Sequence, residues 1–197
     1  MKSFYFAFLF VCGLMTACAP LVTTQPVRAD VATTCPHDRA ALLALGQHAF
    51  DQDMNGGWRL IARDGRCTGV TADLIRDYRT IHNITSSILF WHEGQLRANM
   101  GATIDAIPLL EQSRLAEDDR IGWNYYVAAT VAFLRNDRLT LEQARSSLAA
   151  FPRPKNFPIR RQDGTLIDWP VNLKVVDGLV KCFGQSYADA YSTKCRG

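Results

Sequence analysis

Histidine and glutamate stand together at His92-Glu93, which opens like the helical zinc motif HExxH. That motif needs a second histidine one helical turn on, so that both imidazoles face one metal, and the position holds Leu96. His37, His48 and His82 have no ligand spacing with one another. No CxxC pair exists, so cysteine offers no zinc site either. Gly184-Gln185-Ser186-Tyr187-Ala188 carries a serine between small residues, but it lacks the closing glycine of a nucleophile elbow. It also follows a helical pattern, and no histidine comes after it. No glycine-rich phosphate loop or dinucleotide fingerprint occurs. Asp105, Glu111, Glu117, Asp118 and Asp119 supply carboxylates. A facing pair of carboxylates in a cleft would suit glycan binding or hydrolysis, although their spacing fits a solvated helix face. We therefore expect no catalytic residue, no metal and no cofactor.

Binding is the better-supported chemistry. Trp91, Trp123, Tyr125 and Tyr126 cluster along the chain, with Arg97 close by. Aromatic residues and arginine are the usual anchors of protein interfaces. Tryptophan's large area also serves packing, which suits Trp91 and Trp123. Tyr126 and Arg97 are the leading residues for an exposed groove. The expected partner is a protein or peptide.

These residues sit in Ile88–Pro152, which reads as two consecutive helical hairpins. Helices are expected over about 87–99, 102–115, 121–135 and 139–150 from their apolar periodicity. Gly101 suits a C-cap, Asp118-Asp119 the N-terminal dipole of the third helix, and Thr140 with Gln143 a capping box. Upstream, His37–Gln52 and Thr71–His82 read as helices, with Thr71 as a cap and a short helical piece near Trp58–Arg63. Downstream, 153–167 reads as an extended connection with a small hairpin. A helix over about 170–183, starting on Pro170, and a final turn at Tyr187–Tyr191 follow. The domain organisation is a signal peptide over 1–17, a flexible tether over 18–35, a helical-repeat-like domain over 36–152, and a capping segment of that domain over 153–197.

The hairpins resemble the tetratricopeptide repeat, a helix–turn–helix unit of about 34 residues. Gly94, Gly101, Ala106, Leu110 and Ser113 fall at matching spacings, with Phe90-Trp91 as the aromatic element. One unit later stand Ala128 for Gly94, Tyr125 for Trp91 and Ala132 for Ala98, and Pro152 takes the closing proline position. Asp118 replaces the proline of the first unit, and Thr140 a small residue of the second. The chain is also similar to a group of exported bacterial proteins sharing FDQ…GGWR (Phe50–Gln52 and Gly56–Arg59), a segment like Thr71–Ile75, and one like Trp123–Thr130. That similarity implies no activity. The repeat resemblance implies an all-α fold: a short, tetratricopeptide-like superhelix of stacked hairpins that presents a groove.

Export is expected from the first residues. Lys2 precedes an uncharged apolar run, Phe4 to Met15, which is shorter than the ~20 residues a bilayer span requires. Met15-Thr16-Ala17-Cys18 resembles a lipobox, with Cys18 the lipidated residue. Cleavage after Val27-Arg28-Ala29 would instead release a soluble protein. Both routes leave Cys35, Cys67, Cys182 and Cys195 of the six cysteines. Four cysteines in an oxidising compartment suit two disulfides, and Cys35–Cys67 with Cys182–Cys195 brackets one local unit each. Net charge is +3, and falls to +2 or +1 with either cleavage. That argues against nucleic acid as a partner. Membrane contact is expected only through the N-terminal lipid.

Overall fold

The computed structural model describes residues 35–117, 119–158, 160 and 164–196. Cys18, the signal peptide, the tether up to residue 34, Asp118 and Ile159 lie outside the described residues. The described chain is all-α. Its helices are α1 (Arg39–Leu43), α2 (Arg59–Ala62), α3 (Thr68–Ile81), α4 (Ser87–Asn99), α5 (Thr103–Gln112), α6 (Trp123–Leu134), α7 (Arg138–Ala149), α8 (Leu173–Lys181), α9 (Tyr187–Tyr191) and α10 (Thr193–Arg196). A π-helical turn covers His48–Gln52 and a 3-10 turn covers Gly65–Cys67.

α4 and α5 form one hairpin and α6 and α7 the next. Their turns close with the same pair of hydrogen bonds. In the first, Ala102 N–H donates to Arg97 O (3.0 Å) and Gly101 N–H to Ala98 O (2.9 Å). In the second, Asp137 donates to Ala132 O (2.9 Å) and Asn136 to Phe133 O (3.0 Å). The residue after each cap has left-handed backbone, Gly101 at φ 76° and Asn136 at φ 56°. Glycine and asparagine are the residues that tolerate this region.

Gly94 sets how closely α4 and α5 approach. A Cβ built on it would lie 2.9 Å from Cγ and Cδ2 of Leu110, which is fully buried and has no room to withdraw. Helix α4 serves two cores. Leu89 and Leu96 join Leu43, Phe50, Ile61, Leu74, Ile75 and Tyr78. Trp91 and Ala98 join the core shared by α5 to α10. In the first core Phe50 stacks on Tyr78 with ring centres 3.7 Å apart.

The cysteines pair as expected, Cys35–Cys67 and Cys182–Cys195, with Cα separations of 5.6 and 6.0 Å. The second bridge ties α10 to the end of α8.

Several local expectations change. The helix expected over His37–Gln52 breaks after Leu43, and the chain re-enters helical geometry only as the π turn at His48. Asp51 faces inward there. Thr71 does not cap: its buried hydroxyl donates to Cys67 O (2.9 Å) inside α3, which starts at Thr68. The cap of α7 is Asp137, which accepts from Thr140 N–H (3.0 Å). Asp119 caps α6, accepting from Trp123 and Asn124 N–H at 2.7 and 2.8 Å. Helix α8 starts at Leu173 rather than at Pro170. Of the small hairpin, the described residues show one bridge, Arg160 with Leu166.

The Gly94 contact gives a test. Alanine is the better helix former by about 1 kcal/mol, whereas overpacking a closed site costs about 1–3 kcal/mol. Gly94→Ala is expected to lower the thermal midpoint and Gly94→Val to lower it further. Thermal unfolding of both variants checks this.

Candidate groove over helix four

The charged residues of α3 and α4 form a single chain of ion pairs. Arg39 of α1 reaches Asp77 at 2.7 Å. Arg76 bridges Asp77 and Asp73 at 3.0 and 2.9 Å. Asp73 also accepts from Arg97 Nη2 at 2.7 Å. Arg97 turns back to Glu93 at 3.4 Å, and Arg79 Nη2 donates to the other oxygen of Glu93. Charges alternate from Arg39 to Arg79, with an arginine at each end. Burial works against the Asp77 carboxyl, yet the Arg39 and Arg76 hydrogen bonds hold it below its usual range.

Burial decides which links matter. Arg39 and Arg76 are exposed and their pairs are worth about 0–1 kcal/mol each. Glu93 is 3% exposed, and losing a partner of such a buried charge costs about 3–5 kcal/mol. Arg79 also lays its guanidinium over Phe90, 3.9 Å from the ring centre. The floor is thus fixed from two sides.

A groove of about 470 Å³ opens over these groups. Arg76 and Arg79 form one wall, Glu93 and Arg97 the floor, and Ile104, Asp105, Pro108 and Leu109 of α5 the other wall. Ile104 is 89% exposed, the most exposed large apolar side chain among the described residues.

Of the four binding residues expected from sequence, the groove takes Arg97 alone. Trp91 and Tyr126 are each 3% exposed and Trp123 is half-buried. Their rings pack on one another, with centres 4.6 Å (Trp91–Tyr126), 4.8 Å (Trp91–Trp123) and 5.7 Å (Trp123–Tyr126) apart. Trp123 Nε1 donates to Ser113 O at 2.8 Å. The expected exposure of Tyr126 is corrected. α6 is apolar nearly all round and packs against α5, α7 and α8, so few of its positions face water. Burial pushes the Tyr126 hydroxyl well above its ordinary pKa, and the nearby Tyr187 and Tyr191 add to this.

Among the described residues the candidate carboxylates serve separate roles, with Asp105 lining the groove. Glu111 pairs with Arg114 and Arg135, and Asp119 serves the α6 cap. Ser186 caps α9, its hydroxyl accepting from Asp189 N–H at 3.1 Å.

Sequence reading missed one buried site. Asp51, fully buried, accepts from Trp58 Nε1 (2.8 Å), from Gln52, and from His92 Nδ1 (2.7 Å), with Arg59 at 3.7 Å. The FDQ and GGWR segments therefore close on each other. Gly57, at φ 53°, makes this possible, since a Cβ there would sit 1.9 Å from Phe50 O. An aspartate holding one imidazole nitrogen is the orienting half of an acid–base relay. Among the described residues no hydroxyl or thiol is hydrogen-bonded to His92. The Trp58 ring lies 5.2 Å from the imidazole. The pair joins the π turn of the N-terminal unit to α4.

No protein family, curated protein or solved structure matches the chain. Any role for the groove rests on its own geometry.

The Asp51 cluster predicts an acid response. Burial would raise its carboxyl, but the hydrogen bonds and charge of His92, with Trp58 and Gln52, outweigh burial and lower it. A lowered carboxylate contributes stability that is complete above the unfolded value, about 3.9, and is lost as pH falls through the lower folded value. Asp51→Asn is expected to cost about 2 kcal/mol at neutral pH and to flatten the stability profile below about pH 4. Urea unfolding across pH checks both. An unchanged profile would show that Asp51 is not the group responsible.

Proposed function

We propose that this chain is a non-catalytic helical scaffold, resembling tetratricopeptide units, that binds a protein or peptide segment in the groove over α4. One observation carries the reading. An ion-paired floor is already fixed in place beside an apolar wall that the fold leaves bare at Ile104. Binding there loses little side-chain entropy on the floor, because Arg79 and Arg97 are held by Glu93 before a partner arrives. Surface arginine side chains without such anchoring would have to be ordered by the partner.

The compartment supports the same reading. Two disulfides belong to an oxidising environment. Among the described residues no helix is long and apolar enough to cross a membrane. We place the protein in the bacterial periplasm or at the outer membrane, held by lipid on Cys18, with soluble release by cleavage before Asp30 as the competing route. Palmitate labelling is expected in the native chain and absent in Cys18→Ser. Mass spectrometry of an unlabelled native chain starting at Asp30 would instead establish release.

The groove itself is tested by site-specific photo-crosslinking in cells. A crosslinking residue at position 104 is expected to give a discrete adduct. The same residue at Leu139, exposed on α7 and outside the groove lining, is expected to give none. Adducts of equal yield at both positions, or none at 104, would overturn the assignment.

A further inference from the structure

The floor of the groove is neutralised from within. Arg76 turns Nε and Nη2 to Asp77 and Nη1 to Asp73. Arg97 is held by Asp73 and Glu93, and Arg79 by Glu93. Asp105 stands in the first turn of α5, where the dipole of its own helix accommodates a negative charge. A charged partner would have to displace one of these arrangements, so charge is not what the groove offers.

The wall built by α5 offers backbone chemistry instead. Pro108 lies inside that helix, and proline has no N–H. The carbonyl of Ile104, one helical turn earlier, therefore lacks the donor that a regular helix supplies, and the pyrrolidine ring pushes against it. Among the described residues no side chain donates to it instead. The Pro108 carbonyl, by contrast, receives Gln112 Nε2 at 3.2 Å. Ile104 is 89% exposed and Pro108 is exposed as well, and both line the groove. A helical carbonyl points along the axis towards the C-terminus, so this oxygen lies between the Ile104 side chain and the Pro108 ring. The wall thus presents one acceptor flanked by two hydrocarbon surfaces.

A peptide N–H beside an apolar side chain is the complement of that wall. In a helical partner the N–H groups beyond the first turn are taken by its own carbonyls. An extended segment leaves them free, with side chains alternating to either side. Resting on the reading of the groove as a binding site, we propose that its occupant is an uncharged, apolar peptide segment in extended conformation. One backbone N–H of the segment donates to the Ile104 carbonyl, and an adjacent apolar side chain lies against Ile104 and Pro108.

A random-sequence peptide display library, selected on the purified mature protein and counter-selected on Ile104→Asp, supplies the probe. Enriched peptides are expected to carry Leu, Ile, Val or Phe with no charged residue required beside it. Pro108→Ala and Pro108→Val each return an N–H to position 108, and both are expected to raise the thermal midpoint, because an interior proline weakens a helix. A synthetic copy of one peptide is nevertheless expected to bind about fivefold more weakly to each variant, the loss of one hydrogen bond. Valine keeps hydrocarbon on the wall, so wild-type affinity in Pro108→Val would overturn the role of the carbonyl while leaving the groove reading intact. N-methylation of the peptide, one amide at a time, is expected to find one position that weakens binding to the native chain but not to Pro108→Val. Absence of any such position would count equally against the proposal, as would peptides that depend on Ile104 only together with a charged residue. If no selected peptide depends on Ile104, the groove reading fails as well.

Discussion

Helix α4 is packed on both of its sides, and the rest of the structure follows from that. Leu89 and Leu96 enter the N-terminal core, and Trp91 and Ala98 the C-terminal one. Gly94 meets α5, and Gln95 reaches the Tyr187 hydroxyl at 3.3 Å. His92 is held by Asp51, and Glu93 and Arg97 are left to the groove. A helix of thirteen residues thus joins two cores that have little other contact. A surface helix would show one apolar stripe; this one has none that dominates, because its environment is not one-sided.

The same position explains why charge is buried at all. Glu93 would be an expensive residue in either core, since desolvating a carboxylate costs several kcal/mol. It is tolerated because α3 brings Arg79 against one oxygen and α4 itself brings Arg97 toward the other. Replacing such a group by a hydrocarbon of the same shape is often neutral or stabilising. Stability alone therefore does not account for it. What the buried part of the ion chain does fix is the relative setting of α3 and α4, because Glu93 holds Arg79 of the one and Arg97 of the other.

Much of this was legible in the sequence where the cause is local. The outer hairpin helices α5 and α7 follow from apolar spacing, and Gly101 from its place after a helical run. Glu93 and Arg97 stand four apart and Asp73 and Arg76 three apart, which are the spacings of facing residues on a helix. The disulfides followed from compartment and count. What escaped depends on chain separation. Asp51 and His92 are 41 positions apart, and no periodicity relates a π turn to the middle of α4. Tyr126 misled for another reason. Its side chain type suits an interface, but its helix is surrounded, and surrounding is a tertiary property. Capping errors at Thr71 and Thr140 have a simpler origin: a neighbouring residue, Asp137 or the turn at Cys67, was better placed to start the helix.

A stack of only two hairpins leaves both ends open, and each end here is closed by a different device. At the N-terminal end, α1 to α3 are joined by Cys35–Cys67 and locked onto α4 through Asp51 and His92. At the C-terminal end, α8 to α10 pack on α6 and α7, with Cys182–Cys195 holding α10 so that Arg196 lies over Tyr191, 4.9 Å from the ring centre. Close packing at Gly178, where a Cβ would stand 2.9 Å from Arg196 Cγ, leaves no gap between α8 and α10. Terminal units of helical stacks are atypical because they must cover hydrocarbon that an inner unit would pass to its neighbour. The lateral face of the stack, where α4 lies between α3 and α5, remains the surface on which a fixed polar floor and a bare apolar wall meet.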